Sequence, residues 1–325
     1  MSQNASARQH SMMKRLIQKR ESAMFAVLLL IFAVMSIVKT DTFFTMENLF
    51  NITKQISIIT IVAVGQTFVM ITGGIDLSVG YSLSLAGIMM AKFMSLGVNP
   101  VLAIMLGILT GIVIGFLNGF LITSLKLPPF IVTLGTANIA RGFTYIVTKG
   151  FPISTDSQFV LDLGNGYWGP IPIMTVIMIV IVIVASYALR KNAFGLRVLS
   201  IGGNETAALL SGINVRKYKV IVYTIAGVLC GIAGIIMAGR LNGGNPNAGL
   251  GTDMDTIAAS IVGGTSLAGG EGTVVGTLFG ALLLGVIKNA LVLLNVNMYW
   301  QTVVVGVVII SVCALDRLAQ SKRGI

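Results

Sequence analysis

Residues 101–125 read VLAIMLGILTGIVIGFLNGFLITSL, an apolar run without a charged side chain. A helix of this length extends about 37 Å, and the hydrocarbon core of a bilayer is about 30 Å thick. Glycine recurs at every fourth position of the run, at Gly107, Gly111, Gly115 and Gly119, so the four residues share one face of the helix. A row of glycines lets the backbone of a neighbouring membrane helix approach closely. The stretch therefore predicts a spanning helix with a packing groove.

The composition extends this prediction to the whole chain. Of 325 residues, 55% are hydrophobic and 10% are charged, whereas about 25% of the residues of a soluble domain are charged. The segment 256–270 is short and glycine-rich, so a broken helix or a re-entrant segment are alternatives to a full span there. We expect an all-α polytopic membrane protein, a tightly packed glycine-rich bundle of about ten transmembrane helices: 23–38, 56–72, 79–97, 101–125, 130–148, 171–189, 220–239, 256–270, 273–294 and 299–315.

Basic residues are unevenly placed along this chain, whose net charge is +11. Five precede residue 21, six lie between residues 190 and 219, and three follow residue 316. Lys and Arg accumulate in the cytoplasmic loops of membrane proteins, and an even number of spans keeps all three clusters inside. A nucleic-acid surface is not indicated, because no basic stripe carries interleaved aromatic residues. We predict a cytoplasmic tail 1–22, a single transmembrane domain 23–316 with a cytoplasmic loop 190–219, and a cytoplasmic tail 317–325.

The loop contains the segment GLRVLSIGGNETAALLSGINVRKYK at residues 195–219. Asn204 is a favourable N-cap, Glu205 complements the positive end of a helix, and Gly212 is a suitable stop. The pattern predicts about two turns of helix, which is marginal in water without a partner. Two partners remain open on physical grounds: the membrane surface, on which the helix would lie, and the groove of another protein.

Two other segments resemble each other. Both ITGGIDLSVGYSLSLAGIMMA (71–91) and IVGGTSLAGGEGTVVGTLFGA (261–281) pass from an apolar run through Gly-Gly into a stretch of small residues. The similarity indicates either a repeated bend or chance in a glycine-rich chain.

Three segments together resemble a known family. GLRVLSIGGNETAALLSGINV is similar to the ATPase-docking loop of the ribose-type permeases of bacterial carbohydrate ABC importers, and AVGQTFVMITGGIDLSVG and IVGGTSLAGGEGTVVGTLFGALLLG are similar to two further signatures of that family. The similarity runs in order from about residue 24 to residue 316. It implies a multi-pass permease subunit of the bacterial inner membrane that carries a monosaccharide, such as ribose or a related sugar.

The resemblance also implies partners. The permease would pair with a second copy or a paralogue, dock a cytoplasmic ATPase on its inner face and receive sugar from a periplasmic binding protein. ATP and Mg would be bound by the ATPase, because this chain has no GxxxxGK[ST] phosphate loop; the chain itself would need no cofactor and would not be an enzyme. The positions that match the coupling segment are Gly203, Asn204, Glu205, Ala207, Ala208, Ser211, Gly212 and Ile213.

Asp76 lies in ITGGIDLSVG, at the predicted cytoplasmic turn between the second and third spans. Its carboxylate could cap the next helix by accepting N–H groups near Ser78 and Val79. A role in gating or ATPase contact, and a proton or cation site, are the alternatives. Polar residues inside spans are costly and often mark gates or pathways. Four such residues are candidates here: Asn118, Asn138, Arg141 and Asn289. For Arg141, a structural pair with a carbonyl or carboxylate is the alternative to lining the pathway.

An ion-coupled secondary sugar transporter is the alternative function. Such a transporter uses buried acidic or histidine relays, and the only histidine, His10, lies in the N-terminal tail. No cluster of His, Cys and carboxylates has the spacing of a metal site, so no metal is expected in this chain.

Overall fold

The computed structural model of the protein describes residues 28–321, with side chains up to residue 311 except at 298 and 309. The predictions for the tail 1–22, for His10 and for residues 322–325 lie outside the described residues. Within residues 28–321 the chain forms fourteen helices: α1 (Leu28–Val38), α2 (Thr40–Phe43), α3 (Met46–Ile71), α4 (Val79–Ser95), α5 (Pro100–Ser124), α6 (Pro129–Thr148), α7 (Gln158–Asn165), α8 (Ile173–Lys191), α9 (Ala193–Gly203), α10 (Glu205–Leu210), α11 (Val215–Arg240), α12 (Thr252–Val262), α13 (Val274–Leu293) and α14 (Met298–Ser321).

The helical prediction is confirmed, and six helices of the described chain are long and apolar enough to cross a membrane: α3, α5, α6, α8, α11 and α13. α4 has 17 residues and α12 has 11, so the count of about ten spans stays a prediction. α3 begins ten residues before the predicted span 56–72, at Met46, where Thr45 accepts a hydrogen bond from the backbone of Asn48.

The bounds predicted for the eighth span, 256–270, are wrong. The helix ends at Val262, and residues 263–273 are not helical. Gly264, Gly269 and Gly270 have φ values of +96°, +87° and +76°, a region of backbone conformation that a helix does not use. The segment is thus a short helix followed by irregular backbone, as both alternatives, a broken helix and a re-entrant segment, require.

Glycine faces hold the centre of the bundle together. Three of the four glycines of α5 meet the backbone of α11, while Gly107 meets the backbone of α4 at Ala86. The pair of Gly111 and Gly227 is reciprocal: a Cβ at Gly111 would lie 2.3 Å from the carbonyl oxygen of Gly227, and a Cβ at Gly227 would lie 2.2 Å from that of Gly111. α13 uses the same device against α12, since a Cβ at Gly276 would lie 2.0 Å from the oxygen of Gly263. Backbone contact at these distances has no room for any side chain.

The connectors gather at two ends of the bundle. At one end lie the chain segments that follow α3, α9 and α12. At the other end, two strands that the sequence did not predict, β1 (Ile153–Ser154) and β4 (Gly243–Gly244), pair antiparallel and join the loop after α6 to the loop after α11. A second pair, β2 (Tyr167–Trp168) with β3 (Ile171–Pro172), closes the turn before α8. The connector before α6 belongs to the first end as well, because Thr133 at the start of α6 donates to the carbonyl of Ile75 at 3.1 Å.

Candidate functional site

The helix predicted inside loop 190–219 is present as α10. The side chain of Asn204 accepts a hydrogen bond from the backbone N–H of Ala207 at 2.9 Å, which caps the helix. Gly212 ends it with φ +80°, and the N–H of Ile213 returns to the carbonyl of Ala208 at 3.0 Å. The cap and the stop follow from local side-chain chemistry.

The helix α9 was not predicted from the sequence. Asn192 accepts from the N–H of Phe194 at its start, and Val198 and Ile201 are buried on its inner side. The ring of Phe194 lies 5.9 Å from the ring of Phe68 on α3. The apolar spacing of Phe194, Val198 and Ile201 was the available signal, but the basic residues around it favoured a solvated loop.

α10 presents two leucines to the outside. Leu209 and Leu210 are 61% and 84% exposed, while Ala208 is buried against α9 and α11. Glu205 forms an ion pair with Lys219 of α11 at 2.6 Å. The burial of Ala208 and the ion pair of Glu205 therefore hold α10 against α9 and α11. The exposed side chains of Leu209 and Leu210 have no partner among the described residues.

Gly202, near the end of α9, connects α9 and α10 to the segments that follow α3 and α12 at the same end of the bundle. A Cβ at Gly202 would stand 1.7 Å from the carbonyl oxygen of Ile71 and 2.4 Å from the backbone nitrogen of Gly270. The N–H of Gly270 in turn donates to the oxygen of Ile71 at 2.9 Å. The end of α9 thus touches the last residue of α3, where the connector 72–78 begins, and the connector 263–273. These are the two segments whose sequences resemble each other, and each follows the end of a helix.

Asp76 lies deeper than the sequence indicated. After α3 the chain turns at Gly73, which has φ +77°, and runs back beside α3. The Gln66 amide, oriented so that both of its polar atoms are satisfied, bridges the N–H and the C=O of Asp76 at 3.2 Å each. Asp76 is 2% exposed and lies about 8 Å inside the end of α3, so it belongs to the turn between α3 and α4, as predicted, but this turn is folded back into the bundle. The reversal is tolerated at this depth because the backbone groups of Asp76 have a protein partner in Gln66.

The Asp76 carboxylate accepts the N–H of Ser78 at 2.8 Å and the Ser78 hydroxyl at 2.6 Å. Asn118 of α5 donates to the same hydroxyl oxygen at 2.9 Å. The side-chain oxygen of Asn118 and the hydroxyl of Tyr223 are buried without a hydrogen-bond partner in the described structure. Asp76, Ser78 and Asn118 therefore anchor the connector 72–78 to α5 and to the first turn of α4.

The side chain of Asn289 also forms hydrogen bonds inside the bundle. It exchanges two side-chain hydrogen bonds with Asn48 of α3, at 2.8 and 3.1 Å, and both residues are buried. The neighbouring Lys288 forms an ion pair with Asp255 of α12 at 2.6 Å. These contacts tie α13 to the helices on either side of it.

Asn138 and Arg141 have a different environment, because both are exposed on α6. The Asn138 amide donates to the carbonyl of Leu134 one turn earlier, at 2.9 Å. The guanidinium of Arg141 lies over the ring of Tyr81, 5.6 Å from its centroid, and no carboxylate of the described residues forms an ion pair with it. The contact between Arg141 and Tyr81 was not predicted from the sequence.

A family model described as "Branched-chain amino acid transport system / permease component" matches residues 48–313. The chain belongs to this family. The permease is 47% identical to the ribose import permease protein of Bacillus subtilis over 273 residues, which cover 83% of this chain and 84% of that relative. It is 39% identical to the ribose import permease protein of Haemophilus influenzae, with 93% and 95% covered, and 36% identical to the D-allose transport system permease protein of Escherichia coli, with 90% of each covered.

No solved structure matches the chain significantly. Family membership makes the permease a multi-pass inner-membrane transport subunit and not an enzyme, and ATP hydrolysis belongs to a separate subunit. Permeases of this kind work with an ATPase and a substrate-binding partner.

Proposed function

We propose that this permease is the membrane-spanning subunit of an ATP-driven importer that carries a monosaccharide, ribose or a related sugar, across the bacterial inner membrane. The observation that carries the proposal is its similarity, at 39–47% identity over most of the chain, to relatives named as ribose import permeases. Relatives named for D-allose and fructose are 36% and 34% identical. The class of substrate is therefore better supported than the individual sugar.

The coupling role is assigned to α10 and the residues around it. The ATPase subunit would bind ATP and Mg, and this chain would bind neither. Exposed Leu209 and Leu210 suit a helix-in-groove contact with that subunit, and contact through Gly202 offers a route from the docked helix to the connectors 72–78 and 263–273. The proposed coupling residues are Gly203, Asn204, Glu205, Ala207, Ala208, Ser211, Gly212 and Ile213, to which Leu209 and Leu210 are now added.

Two further partners belong to the proposal. A second permease copy would face the exposed side of α6 and enclose the pathway with it. A periplasmic sugar-binding protein would meet the end of the bundle that carries β1 to β4, where Phe151 and Trp168 are largely exposed. Aromatic side chains of this kind are enriched at protein interfaces. Both termini of the chain would lie in the cytoplasm.

The candidate pathway residues divide into two groups. Asn138 and Arg141 are exposed and suit a pathway lining. Asp76, Asn118 and Asn289 are buried in hydrogen-bonded contacts and suit a supporting role, in which they hold the connectors and helices that open and close the gate.

Reconstitution of the permease with its ATPase and binding protein in liposomes tests the function. Labelled D-ribose should enter only with ATP, and labelled leucine should not enter. Uptake of leucine in place of sugar would overturn the substrate class. Sugar accumulation by the permease alone, on a proton or sodium gradient, would favour the ion-coupled alternative.

Docking is tested by making α10 polar. The double change Leu209→Glu with Leu210→Glu should abolish co-purification with the ATPase and sugar uptake, because a groove that accepts leucine does not accept carboxylates without compensation. Leu96→Glu is the matched control, since Leu96 is 66% exposed just after α4, at the opposite end of the bundle. Undiminished ATPase recovery in the double variant would remove the docking role.

A further inference from the structure

The polar side chains on the exposed side of α6 form a stripe. Asn138, Arg141 and Tyr145 are spaced three and four residues apart, so they lie on one side of the helix. Arg141 is the thirteenth residue of a 20-residue span, about 18 Å from the helix start. A charged side chain at that depth faces a cavity or a partner and not lipid.

The loop between α11 and α12 enters the bundle beside this stripe. A Cβ at Gly244 would lie 2.7 Å from the Cα of Ile88, and one at Gly249 would lie 1.8 Å from the oxygen of Gly80. The N–H of Gly249 also donates to the Ser84 hydroxyl at 2.8 Å. The loop therefore follows α4 from its middle back to its first turn.

Irregular backbone at membrane depth is tolerated only where it is buried in protein or lines a water-filled cavity. Gly249 is buried, but Asn247, two residues earlier, is exposed. An amide at this position is compatible with water and not with lipid. The exposed side of the loop therefore indicates a water-filled space beside α4 and α6.

Two contacts bring the loop, α4 and α6 together at this space. The Tyr145 hydroxyl donates to the side-chain oxygen of Asn247 at 2.8 Å. One turn along α6, the guanidinium of Arg141 lies over the ring of Tyr81 in the first turn of α4. One exposed region is thus bordered by two phenol rings, a guanidinium and an amide. These groups come from α4, α6 and the loop between α11 and α12.

We propose that Tyr81, Arg141, Tyr145 and Asn247 form a monosaccharide-binding site within the transport pathway. This proposal rests on the proposed function and assigns the residues that contact the sugar. Sugar hydroxyls both donate and accept hydrogen bonds, and phenol and amide groups do the same, while the guanidinium supplies donors in a planar fork. The apolar face of a sugar ring suits the flat face of an aromatic side chain.

Selectivity for hydroxyl groups tests the site. In liposomes with ATPase and binding protein, Arg141→Met should lower uptake of labelled D-ribose at least about tenfold, because a hydrogen bond from a charged donor is lost. The ratio of D-ribose uptake to 2-deoxy-D-ribose uptake should also move towards one, since a site that binds hydroxyls discriminates against their absence. Equal losses for both sugars, with the ratio unchanged, would indicate a merely structural role and overturn the proposal.

Phe143→Ala is the matched control. Phe143 is exposed on α6 two residues beyond Arg141 and points to another side of the helix, so the uptake of both sugars should be unchanged. If Arg141→Met transports both sugars as the wild type does, the site is wrong while the importer function stands. If the wild type imports no sugar, the proposed function itself fails.

Thiol labelling gives a second measurement that does not require transport. With Cys230 and Cys313 replaced by alanine, Asn247→Cys should react with a hydrophilic, membrane-impermeant methanethiosulfonate in detergent-free membranes, and Phe143→Cys should not. Added D-ribose, with the binding protein and ATPase present, should slow the reaction at Asn247→Cys. An unreactive Asn247→Cys, or a rate that sugar leaves unchanged, would overturn the water-filled sugar site.

Discussion

Both α5 and α6 carry glycines, but only those of α5 have a close neighbour. Around Gly111 and Gly115, carbonyl oxygens of α11 lie within 2.3 Å of where a Cβ would stand. Around Gly135 and Gly142 of α6, no heavy atom of the described structure lies within 4 Å of that point. A glycine pattern therefore identifies a surface that permits close approach, and the tertiary structure decides whether anything approaches.

The difference matters for function. Two helices whose backbones touch have no free space between them. We therefore expect α5 and α11 to move as one rigid unit. α6 keeps an open surface that combines two glycines with Asn138 and Arg141. The rigid pair supports the protein, and the open face is available for the pathway and for a second copy.

The largest effect is expected at the rigid pair. Gly111→Leu should lower the free energy of unfolding by about 3 kcal/mol or more, because the side chain would collide with the backbone of α11 at Gly227 and Gly231. Thermal unfolding of the purified permease in detergent measures this. An unchanged transition temperature would contradict the account of the α5–α11 contact.

The next effect is expected where three segments meet at Gly202. Gly202→Ala should cost about 1–3 kcal/mol, since its methyl group would collide with the oxygen of Ile71. It should also reduce sugar-stimulated ATPase activity while ATPase binding persists, because Leu209 and Leu210 remain in place. Gly306→Ala in α14 is the control, because a Cβ at Gly306 would have no contact within 4 Å. Equal behaviour of the two variants would break the proposed link between docking segment and connectors.

A smaller and local effect is expected at Gly212. Its φ of +80° is a left-handed conformation that costs an alanine about 1 kcal/mol. Gly212→Ala should therefore speed amide hydrogen exchange in residues 205–213 and leave exchange in α5 and α11 as it was. Uniformly faster exchange along the chain would show that the end of α10 is not an independent local feature.

The smallest effect is expected on the open face. Gly142→Ala should leave the free energy of unfolding within about 0.5 kcal/mol or raise it slightly, since alanine favours a helix and nothing lies against it here. Thermal unfolding of the purified variant in detergent measures this. A loss above about 1 kcal/mol would mean that α6 has a close neighbour in the isolated permease, and the comparison with α5 would fail.

The packing of α5 illustrates what could be predicted and what could not. A four-residue glycine repeat is visible in the sequence, but its partner on α11 is more than a hundred residues away. The candidate site divides in the same way. The cap and stop of α10 could be read from Asn204 and Gly212, whereas the exposure of Leu209 and Leu210 depends on how α9 and α11 pack behind the helix.

By itself, the sequence determined the membrane-spanning character, the bounds of α4, α5, α6, α8 and α13 to within about two residues, and the short helix α10. These properties depend on neighbours within a few residues, through hydropathy, backbone preference and capping. Only the tertiary structure decided that Asp76 lies inside the bundle, that Gly202 meets Ile71 and Gly270, and that Asn247 lies beside α6. Each of these depends on which distant backbone fills the adjacent space, and no local pattern carries that information.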